Sequence, residues 1–367
     1  MSAAAGLVDW GLAERTAAAV IGGVGPVGRP VAAQSDDYRA DEVAAACAVA
    51  IGLAADYAGL GEVAEPPAAE LLDRRDWARV ALDSLAEAAE PIEQRLAGEL
   101  AGAGPLAPVA RRVLGATVGA EAGAAVGYAG RRVLGQYDVA LFDHERPARL
   151  LFVGANLDSA RRSLAADREL FLSWIALHET THVIQFERVR WLAGHVRGLA
   201  GELIESASAG LGPDRLGELV RRVIRDPREL VRALLRGELA HALADPAQRV
   251  TFDRLQATMS VIEGHAEHVM DAVAPERPGL AELRRRLERR RAGRSGLGEL
   301  LGRLLGFDLK LRQFALGKTF CDGVTELGGA EALRLVWRSP EGLPTLAELD
   351  RPRSWLERVK EPPAQPA

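Results

Sequence analysis

The residues with the plainest chemical meaning are His178-Glu179-Thr180-Thr181-His182. On a helix, positions i and i+4 share one face, so both imidazoles can reach a single ion. Glu179 follows the first imidazole by one residue. There it can take a proton from water activated by the metal and pass it to a leaving group. Neutral imidazoles suit Zn2+, whose catalytic sites use three protein ligands and keep one position open. The third ligand must come from elsewhere in the chain. His195, His241, Glu263, His265 and His268 are the candidates. A continuation HExxHxxGxxH would need histidine at position 188. Arg188 stands there, so that class is excluded.

The segment that presents these groups reads as one long helix. Asp167 offers an N-cap, and the periodicity runs from Arg168 to Trp191. Phe171, Leu172, Trp174, Ile175, Leu177, Val183, Ile184 and Phe186 make it apolar on nearly all sides. A helix of that kind is buried. Two histidines and a glutamate carried into such an interior are costly unless a metal or other partners meet them.

A second segment stands out, Val261-Ile262-Glu263-Gly264-His265-Ala266-Glu267-His268. It resembles the EGxAEY-type segment of gluzincins, in which the glutamate before glycine is the third zinc ligand on a second helix. The resemblance extends over most of the chain. It rests on Val8-Asp9-Trp10, Leu134 to Asp138 (LGQYD), Leu151 to Leu157 and Leu177 to Phe186 (LHETTHVIQF). It continues in Glu263 to Asp271 (EGHAEHVMD), Lys310 to Gly317 (KLRQFALG) and Pro340 to Leu346 (PEGLPTL). On these motifs the chain is similar to the zincin-like metallopeptidase family of actinobacteria and chloroflexi. Some members are labelled as associated with deazaflavin-coenzyme biosynthesis.

The resemblance implies a zincin-like fold and a hydrolase or metallopeptidase activity, with His178, His182 and Glu263 as zinc ligands. Gly264 and Ala266 would keep the second helix slim where it passes the first. Glu267 and Asp271 follow on the same helical face as Glu263. Either could accept the free N–H of His178 or His182. A zincin also wants a donor for the developing oxyanion. All four tyrosines precede the HExxH, so His265 and His268 are the first choices, with Lys310, Gln313 and Tyr137 behind them. Here the chain departs from relatives that carry an aromatic residue after the Glu-Gly pair and a tyrosine at position 268.

The elements that must position these groups are mainly helical. The expected fold is mainly α with a small sheet (α+β), zincin-like, with an all-helical N-terminal part. Residues 1–145 read as a helical region, 146–273 as the catalytic core and 274–367 as a helical region that packs alone or with the core. Leu150 to Val153 (LLFV) is the best strand candidate. The stretch 136–147 looks irregular or strand-turn. A long helix is expected from Asp76 to Ala101, interrupted near Pro91, and further helices span 214–224 and 227–243.

Composition narrows the function classes. A net charge of −5 gives no global pull toward nucleic acid or anionic membrane. The arginine run from Arg284 to Arg291 carries an apolar stripe (Leu280, Leu283, Leu287) and two acids, so it reads as a solvated amphipathic helix. Gly22 to Gly28 lacks the GK[ST] of a phosphate loop. Gly115, Gly119, Gly123 and Gly127 recur every fourth residue in an apolar stretch. That spacing can pack membrane helices, but Glu121 and the flanking arginines favour close packing of soluble helices. Two distant cysteines, Cys47 and Cys321, predict no disulfide, and the N-terminus has no signal-peptide pattern. The expectation is a cytoplasmic zinc hydrolase acting on a peptide or protein substrate, without nucleic-acid or membrane partners. The alternative is a zinc-stabilised scaffold whose fourth metal position is filled by protein, for instance by His265 or His268, or else a biosynthesis-accessory protein that binds a cofactor in the same cleft.

Overall fold

A computed structural model describes residues 6–23, 37–101, 107–143, 145–209, 246–274, 279, 282–286 and 307–360. The expected helices at 214–224 and 227–243, His241, and most of the arginine run lie outside the described residues, as do the side chains of Lys310 and Gln313.

The fold is organised by strand β3 (Arg149–Val153). It is the centre of a three-stranded sheet of order β1-β3-β2. Strand β1 (Ala69–Leu72) pairs with it in parallel, and β2 (Gly135–Asp138) pairs antiparallel. Side chains alternate across a strand, and both faces of β3 are covered. Leu151 and Val153 pack against helices α1 (Trp10–Ile21), α3 (Arg74–Ala101) and α4 (Ala107–Gly130). Leu150 and Phe152 pack on the other side, with α2 (Ala40–Ala58), α6 (Arg168–Arg188) and α8 (Pro246–Val273). A strand buried on both faces reads as an unbroken apolar run, which is why LLFV is visible in the sequence. Helix α5 (Gly154–Leu164) follows directly. Its Asn156 side chain donates to the carbonyls of Gly130 and Val133 and accepts from Arg74 Nε. These bonds fasten the turn that leads into β2.

The fold is mainly helical with a small sheet, as expected. Strands β1 and β2 both fall within residues 1–145, read as a helical region; β2 overlaps the stretch from 136 that looks irregular or strand-turn, whereas β1 lies where helices and loops are expected. β1 is Ala-Glu-Leu-Leu, with no alternation and no β-branched residue, so nothing local announces it. Its partner β3 makes it a strand. Helix α3 runs on through Pro91 rather than stopping there. Helix α6 ends at Arg188, three residues earlier than the periodicity predicts.

Further helices are α7 (Leu192–Ala209), α9 (Phe307–Leu333) and α10 (Pro352–Lys360). They build a second core with α8 around Val196, Ile262, Phe320 and Trp355. Helix α8 meets α9 backbone to backbone. A Cβ on Gly264 would lie 2.1 Å from the Gly317 carbonyl carbon, and one on Gly317 would lie 1.7 Å from the Ser260 oxygen. Gly264 therefore slims α8 for α9, and not for the HExxH helix as the motif implies.

The four-residue glycine spacing in α4 does the same for α1. Added Cβ atoms at Gly115, Gly119 and Gly123 would lie 2.1–2.3 Å from the carbonyls of Leu7, Asp9 and Ala13. No described helix is long and apolar enough to cross a membrane. Cys47 and Cys321 are both free and buried. Packing this tight tolerates no side chain. Gly119→Leu should lower Tm, with a loss of about 1–3 kcal/mol or more. Exposed Gly52, where a Cβ meets nothing, is the control. Gly52→Ala should leave stability unchanged or raise it by about 0.5–1 kcal/mol. Calorimetry of the two variants checks both.

Candidate metal centre

Helix α6 begins at Asp167, whose side chain accepts the Leu170 N–H. The helix then runs through the interior. Thr180 and Thr181 are buried, and each hydroxyl donates back to a carbonyl one turn earlier, on Ala176 and Leu177. Their polarity is thus met within the helix. His178 and His182 project together, with Nε2 atoms 3.2 Å apart. Helix α8 brings Glu263 against both. Its Oε2 lies 3.5 Å from His178 Nε2 and 3.7 Å from His182 Nε2.

Among the described residues these three form the group whose donor atoms all lie within 4.8 Å of one another. Zinc bonds of roughly 2.0–2.2 Å in tetrahedral array would separate ligand atoms by about 3.4 Å. The observed 3.2, 3.5 and 3.7 Å match that spacing. The donor set of two imidazoles and a carboxylate also suits Zn2+. The residues fit the metal that the motif implies.

The tautomer of His182 is set from behind. Its Nδ1 lies 2.8 Å from Gln185 Oε1, an acceptor only, so Nδ1 carries a proton and Nε2 is the ring atom left to face Glu263 and His178. The same amide spans to α8, where Nε2 donates to the Ile262 carbonyl at 2.9 Å and to His265 Nδ1 at 3.0 Å. Gln185 is fully buried, and its hydrogen bonds tie the two ligand-bearing helices together.

Electrostatics tell the same story. Burial opposes the charged form of Glu263, yet hydrogen bonds from both histidines hold its carboxyl well below the usual range. Burial also opposes charge on His182, but Glu263 outweighs it and raises the imidazole to about 9. A cation shared by the three would satisfy the same demand.

Glu179 is buried beside this cluster. Burial raises its pKa, and the carboxylate of Glu263 adds to the rise. The backbone N–H of Tyr137 donates to it. Strand register explains that bond. Val153 N–H donates to the Leu134 carbonyl, so pairs alternate from there and Tyr137 directs its N–H away from β3. Gly135 on the same edge makes room. A Cβ there would lie 2.7–2.9 Å from the Glu179 Cγ, Oε1 and Cδ atoms.

The other expected site residues do not belong to the three-donor group. His265 is buried, edge-on to Trp337, with its Nδ1 taken by Gln185. Burial holds it neutral, down to about 3. His268 lies between Asp322 (2.7 Å from Nδ1) and the Tyr57 hydroxyl (2.7 Å from Nε2). Neither belongs to the three-donor group, and these contacts lend no support to an oxyanion role for either. Asp271 pairs with Arg284 and with Lys318 at 2.9 Å. Glu267 is half-buried and outside the donor group. The acceptor behind His182 is an amide on its own helix, not an acid on α8. His195 stacks edge-on against Trp191 and takes no part. Sequence reasoning missed Gln185 and Gly135. For Gln185 a signal existed, since a buried amide on an all-apolar helix needs partners as much as a histidine does.

Comparison with known proteins fits this geometry. The family profile described as zincin-like metallopeptidase matches residues 8–356. A solved structure of a candidate hydrolase with a novel fold from Chloroflexus aurantiacus is similar at 28% identity and a TM-score of 0.67. It covers 97% of this chain and 100% of its own. No curated protein matches the chain at a significant level.

Removing the Gln185 amide frees the His182 ring and leaves its N–H unpaired. Gln185→Leu should weaken zinc binding by about 10- to 100-fold. Competition with a chromogenic chelator measures it, and unchanged affinity would contradict the orienting role.

Proposed function

The chain belongs to the zincin-like metallopeptidase family, and on that premise we propose that it is a zinc-dependent peptidase with Glu179 as general base. His178, His182 and Glu263 would hold the ion. The observation that carries this reading is the convergence of those three donors from two helices, at ligand-ligand spacing, beside a buried carboxylate on the open edge of a sheet.

Zinc held there would supply a Lewis acid that polarises water and the scissile carbonyl. The protein supplies the proton traffic. Glu179 removes a proton from the attacking water, oxygen adds to the carbonyl carbon, and the same carboxyl delivers the proton to the nitrogen as the C–N bond breaks. Its raised pKa suits a group that must both take and return a proton. The Tyr137 N–H helps to orient the carboxylate. Burial keeps the proton from bulk solvent.

The scaffold alternative requires a fourth protein ligand. Among the described residues the donor group stops at three, and His265 and His268 are engaged by other partners. This favours the hydrolytic reading.

Glu179→Gln should bind zinc as the wild type does and lose turnover by about 10²- to 10⁴-fold. Emission spectroscopy for metal and a peptide-cleavage assay test the two halves. Gly135→Ala should also keep zinc, while its methyl displaces the Glu179 carboxylate and lowers kcat by about 100-fold. A Gly135→Ala enzyme with full kcat would show that the edge strand does not set the position of the base.

A further inference from the structure

One cavity next to the three donors has no role so far. It has a volume of about 280 Å³ and touches both His182 and Glu263. Its walls come from separate elements. The loop after β2 gives Leu141 and Phe142, α6 gives Phe186, α7 gives Val196, and α8 gives Met259 and Ile262. The loop wall is pinned, because Arg197 Nε donates to the Leu141 carbonyl at 2.5 Å. Polar groups gather on one side, where Ser84, Glu87 and Asp138 line the space. Arg146 holds them together, with Nη1 on Asp138 at 2.6 Å and Nη2 on Ser84 at 2.9 Å. Two carboxylates against one guanidinium leave that side net negative.

We propose that this cavity receives an apolar side chain, aliphatic or aromatic, from the substrate residue flanking the scissile bond. The proposal rests on the peptidase reading and names the substrate class of that site. The volume sits just below the roughly 300–1,000 Å³ of pockets for drug-sized ligands, which suits one large side chain rather than a cofactor. The apolar walls favour removal of hydrocarbon from water. The acidic side adds a penalty against aspartate and glutamate, so specificity has both an attractive and a repulsive part.

The test uses zinc-loaded full-length protein and fluorogenic peptides that differ at one position, carrying Leu, Phe, Gly or Asp. Leu and Phe peptides should exceed the Asp peptide in kcat/KM by about 10- to 100-fold. Val196→Trp fills the cavity. It should lower cleavage of the Leu and Phe peptides by about tenfold or more, with the Gly peptide changed by less than about threefold. Should Val196→Trp fail to fold, Met259→Ala enlarges the same space and should shift preference from Leu toward Phe. Anisotropy of labelled peptides on zinc-loaded Glu179→Gln reads the same order without turnover. Cleavage with no preference among the peptides, or a preference untouched by both variants, overturns the pocket assignment and leaves the peptidase reading standing. Absence of both cleavage and binding for every peptide defeats the two together.

Discussion

The site depends on one constraint: helices α6 and α8 must lie side by side with His178, His182 and Glu263 directed at a common point. Two imidazole nitrogens 3.2 Å apart, with a carboxylate oxygen within 3.7 Å of each, repel unless a positive charge lies among them. The cluster is largely withdrawn from water, which strengthens the demand for a cation. Much of the fold can be understood as meeting that demand. Gln185 ties α6 to α8 and sets the tautomer of His182. The Gly264 and Gly317 backbones let α9 close on the outer side of α8. Strand β2 supplies the Tyr137 N–H that faces Glu179.

The three-stranded sheet has a specific part in this. β3 is covered on both faces, so its position is fixed by two cores at once. β2 hangs on one side of it and keeps its other edge free to meet Glu179. Asn156, at the start of the helix after β3, fastens the approach to β2. The edge that orients the proposed base is thus anchored to the most buried of the three described strands.

Part of this was legible in the sequence. HExxH can be read because helical spacing alone puts both imidazoles on one face. LLFV can be read because β3 is buried on both sides, and the glycine spacing of α4 because small residues every fourth position imply a close neighbour. The direction of His265 is open to the same reasoning. At about 100° per residue, His265 sits about 200° around α8 from Glu263, too far to share its target. His265 is accordingly not among the three converging donors. β1 and Gly135 were not legible, since both owe their state to a partner distant in the chain. Ala-Glu-Leu-Leu becomes a strand only beside β3, and Gly135 is needed only because Glu179 arrives next to it.

The convergence of three donors on one ion is tested most directly by zinc stoichiometry in matched variants. Purified wild type and His268→Ala should each retain one zinc per chain, and Glu263→Ala should lose most of its metal. Equal retention by Glu263→Ala and His268→Ala would remove Glu263 from the centre and contradict the account.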